Sequence, residues 1–356
     1  MKVRAIIREA WRNVISGTTR TVVLTVILGS VFSAALAAEI LTVARMEADA
    51  AEFRDAGGSV LTITAEGRVD GRRCESLSKV PEVRSAGAVS LPRGQQVAAV
   101  ALPGAPMQAA IASRGFPAVL GADVDGGHGL VVPDSAAEVL GLTVGASLAT
   151  TSGETRVAGT YEYPLDGRRS GYGYLALAVV PSANTFDECW VDVWPQNPGM
   201  NALLFTTLMQ HDSTDKDAPS VQQLNTAFGV TFDGNTVFHE RVTRFAAPLV
   251  SVFAALIGLA ATRTRRIELA AALHDNMRRH DMWMIALLES ASWIVVPFIA
   301  TIATAALSFG AGGDFPVGLV LGARIAVAGA VGSLVGVFSG LLMTREQDLF
   351  AYSKDR

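Results

Sequence analysis

The chain has 356 residues, half of them hydrophobic, and a net charge of −4. It is too long for one small core and too apolar on average for an ordinary soluble protein. The apolar residues gather in a few runs near the two ends, and the basic residues beside those runs form no aromatic-interleaved patch, which argues against a nucleic-acid partner.

The first twenty residues carry Lys2, Arg4, Arg8, Arg12 and Arg20 against Glu9 alone. Val3, Ile6, Ile7, Ala10, Trp11 and Val14 share one face, so residues 1–20 read as an amphipathic helix lying on the cytoplasmic membrane surface. Thr21 to Ala38 is an unbroken run of apolar and small residues. At about 1.5 Å per residue it reaches roughly 27 Å, close to the thickness of a bilayer core. Residues 21–44 are therefore a first transmembrane helix. A cleaved signal peptide is the competing reading, since Ala35-Leu36-Ala37 has the small-x-small form, but signal peptides seldom carry such a long basic amphipathic leader.

Residues 45–240 contain no spanning run and read as a mixed α/β extracytoplasmic domain. Ser59–Ala65 is a predicted strand, Gly71–Lys79 a helix and Val83–Leu91 a strand. The order recurs with a strand at Cys189–Trp194, helical pieces at Met200–His211 and Ser220–Phe228, and a strand at Val230–Phe232. These are two β-α-β halves, with a second lobe at His128–Tyr163 between them and a polar loop at His211–Ser220. Cys74 and Cys189, the only cysteines, fall in this segment, where a disulfide persists; the alternative is two separate buried thiols. Glu162–Tyr174 is Gly-rich, with an Arg168-Arg169 pair, and reads as a flexible connection rather than a ligand contact.

Residues 241–262, 282–309 and 325–343 are three further spans, joined by a basic link at 263–281 and an outer loop at 310–324, with a tail at 344–356. Lysine and arginine favour cytoplasmic loops, so the amino terminus, the link and the tail read as cytoplasmic. Arg324 is expected to snorkel outward near Asp314. Glu289 lies inside a span and is expected to pair with another helix or chain.

The layout of one helix, a large outer domain and three helices resembles the MacB/FtsX-type permeases, the membrane subunits of type VII ABC systems. Arg8–Thr21 (REAWRNVISGTTRT) is similar to the family's entry sequence, and Met46–Thr64 to its exit from the first span. Leu130–Glu162 resembles an outer-domain stretch in which a short helix ends at Leu-Gly-Leu-x-Val-Gly. There Asp134 or Ser135 is expected to cap the helix, Gly141 to end it, and Thr151–Thr155 to turn a hairpin. Thr262–Ser290 is similar to the family's cytoplasmic link, which together with the amino-terminal helix rests on the ATPase.

That resemblance implies an ATPase-coupling set of Arg12, Asn13, Arg266, Ile267, Glu268, Leu269, Leu273, His274 and Asp275. Ile267, Leu269, Ala270 and Leu273 would present the link's apolar face. The link departs from the family at His274-Asp275-Asn276-Met277, where Gly-Ala is common; Asn276 can adopt the left-handed turn in glycine's place.

The chain has no Gly-x-x-x-x-Gly-Lys-Ser/Thr loop, and its histidines (His128, His211, His239, His274, His280) show no metal-ligand spacing. The expectation is a non-catalytic bacterial plasma-membrane permease with no cofactor or metal of its own, ATP and Mg being used by a separate ABC ATPase. The resemblance further implies a second permease copy or related permease, membrane lipid around the spans, and an extracytoplasmic protein in some relatives. Export of a peptide, antibiotic or lipid-linked substrate is the leading function. Mechanotransmission to a cell-wall hydrolase and an ATPase-independent sensor are the alternatives.

Overall fold

The computed structural model describes residues 3–125, 129–209 and 218–345. The chain divides into two compact units, a helical unit (Met1–Glu47 with Asn235–Arg356) and a sheet domain (Ala48–Gly234).

The helical unit begins with α1 (Val3–Ile15), whose Ile6 and Ala10 are buried while Val3, Ile7 and Trp11 stay exposed. The apolar face is thus split between an inward and an outward row. Helix α2 (Thr21–Asp55) continues well past the end of the apolar run; Ala, Glu, Arg and Met are strong helix formers, and no Gly or Pro stops it before Gly57.

The sheet domain is built on two β-α-β units. The first is β1 (Val60–Asp70), α3 (Gly71–Ser76) and β2 (Val83–Ser90). A second lobe follows: β3 (Gln96–Val97), β4 (Met107–Ser113), α4 (Phe116–Val119), β5 (Leu130–Pro133), α5 (Asp134–Leu140), β6 (Ser147–Thr150), β7 (Gly153–Tyr161) and β8 (Leu175–Val180). The second unit is β9 (Thr185–Val193), α6 (Met200–Phe205) and β10 (Ser220–Gln223). The ten strands among the described residues join one sheet in the order β10-β1-β9-β2-β4-β8-β5-β7-β6, with β3 beside β4. Within it β9 lies between β1 and β2, and β1 between β9 and β10, all antiparallel. The two β-α-β units therefore interleave in the ferredoxin-like manner.

Alternation along β9 feeds two cores. Cys189, Val191 and Val193 pack with Cys74 of α3, with Leu77 in the turn that follows it, and with Met200 and Leu204 of α6. Trp190 turns the other way, against Phe116, Leu177 and Tyr172. A disulfide joins Cys74 on α3 to Cys189 on β9, linking the two β-α-β units (Cα–Cα 5.8 Å).

Several local expectations are corrected. Ser220–Gln223 is a strand, not a helical piece, because Ser220 to Gln223 pair with Thr64 to Leu61 along the edge of β1; ladder hydrogen bonds outweigh a weak helical propensity. Val230–Phe232 is not a strand. Its Phe232 ring packs 5.8 Å from Phe53 and 5.6 Å from Trp194, and its N–H donates to Gln196 Oε1 (2.7 Å), so it anchors by side chain rather than by ladder. The helix expected to reach His211 ends at Phe205, and most of the His211–Ser220 loop lies outside the described residues. Neither Asp134 nor Ser135 caps α5; Asp134 begins it, with Pro133 at the cap position and no side-chain bond there. Gly141 ends it at φ 63°, left-handed as expected.

The chain re-enters the helical unit through α7 (Gly234–Glu240) and a single 3₁₀ turn, then runs through α8 (Ala246–Arg263), α9 (Arg266–His274), α10 (Arg279–Gly310) and α11 (Phe315–Leu342). Among the described residues, four helical segments are long and apolar enough to cross a membrane: Thr21–Asp55, Val242–Arg263, Arg279–Gly310 and Phe315–Leu342. The outer loop expected at 310–324 is only a Gly-rich turn, because Pro316 in the first turn of α11 starts that helix early. Arg324 consequently sits on α11, exposed, and donates to the Arg244 carbonyl (3.5 Å) rather than meeting Asp314. Helices α8 and α11 approach closely. A Cβ at Gly332 or Gly336 would run into the carbonyl oxygen of Ser251 or Ala255, the small-residue packing that replaces a hydrophobic driving force between spans.

Candidate functional site

The basic link begins where α8 ends, and Arg265 sits at the junction before α9. Its Nη1 donates to Glu289 Oε2 on α10 (2.6 Å) and its Nε to Glu268 Oε2 on α9 (3.0 Å). The second Glu289 oxygen, Oε1, accepts from Asn13 Nδ2 on α1 (2.7 Å). One buried carboxylate, 7% exposed, therefore ties together α1, the α8–α9 junction and α10. Burial works against the Arg265 charge, but Glu289 and Glu268 more than offset it, so the guanidinium holds its proton more firmly than a free arginine.

Apolar contacts run alongside. Ile6 and Ala10 of α1 pack on Ile285 of α10, with Met277 beside them. Leu269 and Leu273 of α9, together with Met277, pack against the core of the span bundle, which includes Met282 and Ala286. A groove of about 180 Å³ lies between these elements, lined by Asn13, Arg265, Glu268, Leu269 and Ile285 among others. A smaller void of about 40 Å³ on the span side is bounded by Thr19, Arg265, Glu289 and Trp293, room enough for about one water.

The resemblance-derived set is only partly gathered here. Asn13 is a ligand of the Glu289 carboxylate. Arg12 points away, exposed, and pairs with Glu9 (2.7 Å). Leu269 and Leu273 are half-buried and Ala270 fully buried against the chain's own helices, so the apolar face expected to be offered outward is largely spent inside. Ile267 and Arg266 are half-buried, whereas Glu268, His274 and Asp275 are exposed on the link's outer side. Asn276 adopts φ 62°, taking glycine's turn role. Sequence reasoning saw Glu289 as a span carboxylate in want of a partner and missed Arg265 as that partner. The signal was available, since an ionisable group within a span calls for an opposite charge close by, and the basic link was the nearest supply.

A second polar junction lies in the same unit. Glu39 on α2 accepts from Arg241 Nε (3.2 Å) and the Thr243 hydroxyl (2.8 Å), with both charged side chains almost fully buried. Arg241 also stacks over Phe238.

In the sheet domain, the Glu162–Tyr174 stretch is anchored rather than flexible. Arg168 pairs with Asp166 (2.7 Å) and donates to the Asp55 carbonyl (2.8 Å). Arg169 pairs with Glu188, which also accepts from Trp190 Nε1 (2.7 Å) and the Tyr172 hydroxyl (3.1 Å). Burial pushes the Tyr163 hydroxyl up to about 12 despite Arg168 and Arg169 nearby.

No family model matches the chain, and no curated protein does. Among solved structures, the chain is similar to a domain assigned to a permease protein from Porphyromonas gingivalis, at 15% identity over 52% of this chain and 97% of that one, TM-score 0.34. It is likewise similar to the periplasmic region of MacB from Actinobacillus actinomycetemcomitans, at 12% identity over 42% of this chain and 83% of that one, TM-score 0.30.

Proposed function

We propose that this chain is the non-catalytic membrane subunit of an ABC-type machine, its amino terminus and link in the cytoplasm and its sheet domain outside. A separate ATPase docks against α1 and α9, and nucleotide-driven motion enters the spans there. The observation that carries the reading is the Glu289 junction. A push on either cytoplasmic element reaches α10 through hydrogen bonds to a buried charge, and breaking such a pair costs about 3–5 kcal/mol, so the elements move together rather than slip. The outward-facing Glu268, His274 and Asp275 supply polar groups that can set register against a partner. Export of a substrate from the outer leaflet or outer domain is the function favoured by the large two-lobed sheet domain, with mechanotransmission to an extracytoplasmic protein as the alternative use of the same motion.

The test is gentle solubilisation of the full chain from its native membrane, followed by co-purification. An ATP-hydrolysing subunit should accompany it, and a charge reversal at the exposed Asp275, Asp275→Lys, should weaken its retention at least severalfold while the unfolding temperature stays within about 2 °C of the unaltered protein. Recovery of the chain without any nucleotide-hydrolysing partner contradicts the reading, as does full association in the reversed variant.

A further inference from the structure

The sheet domain carries a polar groove of about 500 Å³ formed by three segments: α3 with the turn after it, the β4–α4 junction, and the β8–β9 turn. Arg72 and Lys79 come from the first, Arg114 from the second, Ser182 from the third. All three cationic side chains are exposed, and among the described residues none has an ion-pair partner. The groove's one carboxylate, Glu75, is already committed: Oε1 accepts from the Gly115 N–H (2.8 Å) and Oε2 from the Ser182 hydroxyl.

Those two bonds explain the shape. Glu75 clamps α3 to the β4–α4 junction and to the β8–β9 turn, and the Cys74 disulfide pins the same helix to β9. The Gly71 N–H adds a bond to the Asn184 carbonyl (3.3 Å). The walls are thus fixed by interactions that leave Arg72, Lys79 and Arg114 free to face a ligand, and a preformed site spends little binding energy on ordering itself. Three cations against one carboxylate leave a local charge of +2, in a chain whose overall charge is −4. That local excess exceeds what a single carboxylate neutralises and suits a dianion. Arginine's planar donors match phosphate oxygens two at a time, and a lysine adds a point charge. The volume lies within the range of small-ligand sites, which are mostly apolar, whereas this lining adds the three cationic side chains and the hydroxyls of Ser76, Ser78 and Ser182 to Pro181 and Ala183, giving a charged group its partners.

We propose that this groove binds a phosphate-class dianion, a phosphate monoester or diphosphate group, presented either on a soluble molecule or on a lipid headgroup. The proposal does not rest on ATPase coupling, because binding here needs only the folded sheet domain.

The experiment uses the full chain in detergent micelles, with calorimetric titration of inorganic pyrophosphate at low ionic strength and, separately, of a short-chain soluble phosphatidic acid. Saturable binding is expected for at least one of them. It should weaken roughly tenfold or more in Arg72→Ala/Arg114→Ala, remain unchanged in Arg93→Ala, which removes an exposed arginine elsewhere in the domain, and decline as salt rises toward 0.5 M because the groove is open to screening. Tighter, groove-dependent binding of phosphatidic acid identifies a lipid headgroup as the source; tighter pyrophosphate binding identifies a soluble phosphate. Absence of saturable heat with both probes overturns the proposal, as does equal weakening by Arg93→Ala. Retained co-purification of an ATPase with Arg72→Ala/Arg114→Ala keeps a failure here distinct from a failure of the coupling reading.

Discussion

The helical unit and the sheet domain both bury charge, but they connect different things with it. In the sheet domain Asp166 and Arg168 are two residues apart, and their pair shapes one loop. In the helical unit Asn13 reaches Glu289 across 276 positions and Arg241 reaches Glu39 across 202. The spans supply almost no polar groups, so each carboxylate there draws in partners from distant segments and becomes a junction. In the sheet domain charges are plentiful and water is near, so long-range polar ties such as Arg84 to Asp192 (3.4 Å) and Ser182 to Glu75 lie partly exposed, and a disulfide adds a covalent tie to them.

That contrast is open to attack first through its covalent side. Replacing Cys74 and Cys189 by alanine opens a loop of 115 residues, and chain-entropy arguments put the loss at about 4–5 kcal/mol. The sheet domain should lose most of its margin. Proteolysis of the solubilised chain should cut within residues 60–223 well before it reaches the spans, whereas simultaneous loss of both units would show that they are not separately stabilised.

The charge junction is next in size. Glu289→Ala removes the buried carboxylate and leaves the partly buried Arg265 with Glu268 alone and Asn13 without its acceptor, a loss of at most about 3–5 kcal/mol, read as a lower unfolding temperature of the solubilised protein. Glu289→Met combined with Arg265→Met should recover most of that stability, because removing both charges also removes their desolvation cost. The double variant separates two roles. If it is stable yet no longer passes ATPase activity to the outer side, the junction transmits; if it is stable and fully active, the pair serves folding alone.

Steric packing of the spans ranks third. Gly336→Val places a branched side chain against the Ala255 backbone, and overpacking of this kind costs about 1–3 kcal/mol. The same substitution at Gly104, where no atom lies within 4 Å of an added Cβ, should leave the unfolding temperature nearly unchanged. Equal effects at the two positions would mean that α8 and α11 do not pack as closely as the structure has them.

Much of the architecture was legible because hydrophobic runs and basic flanks are properties of composition. Four spanning helices, the two β-α-β halves and the left-handed turn at Asn276 follow from local chemistry. What escaped was set by partners distant in sequence. Ser220–Gln223 is a strand only because the β1 edge needs one, and Val230–Phe232 fails to be one because Phe53 and Trp194 offer its aromatic ring a better place. The site shows the same division. Asn13 was named only through the resemblance and for a different role, and both its bond to Glu289 and that of Arg265 acquire their meaning only when α8, α10 and α1 converge on one carboxylate. Leu273 adds a further point: a face read as open to a partner is half-buried against the chain's own spans, so a charged substitution there also tests bundle stability.

The smallest effect concerns the loop pair in the sheet domain. Partial burial works to raise the Asp166 pKa, but hydrogen bonds from Arg168 to the carboxylate outweigh it, and the net shift is downward from the ordinary value of 3.8. A depressed folded-state pKa means that the unfolded chain binds the proton more readily. The stabilising contribution is therefore complete above 3.8 and is lost as pH falls below it toward the folded-state value. Asp166→Asn removes the titration, so the difference in unfolding temperature between the unaltered chain and this variant should shrink on acidification through that window and stay constant above about pH 5. A difference that grows on acidification would reverse the sign of the Asp166–Arg168 contribution, and with it the claim that the sheet domain uses short-range charge to hold a loop in place.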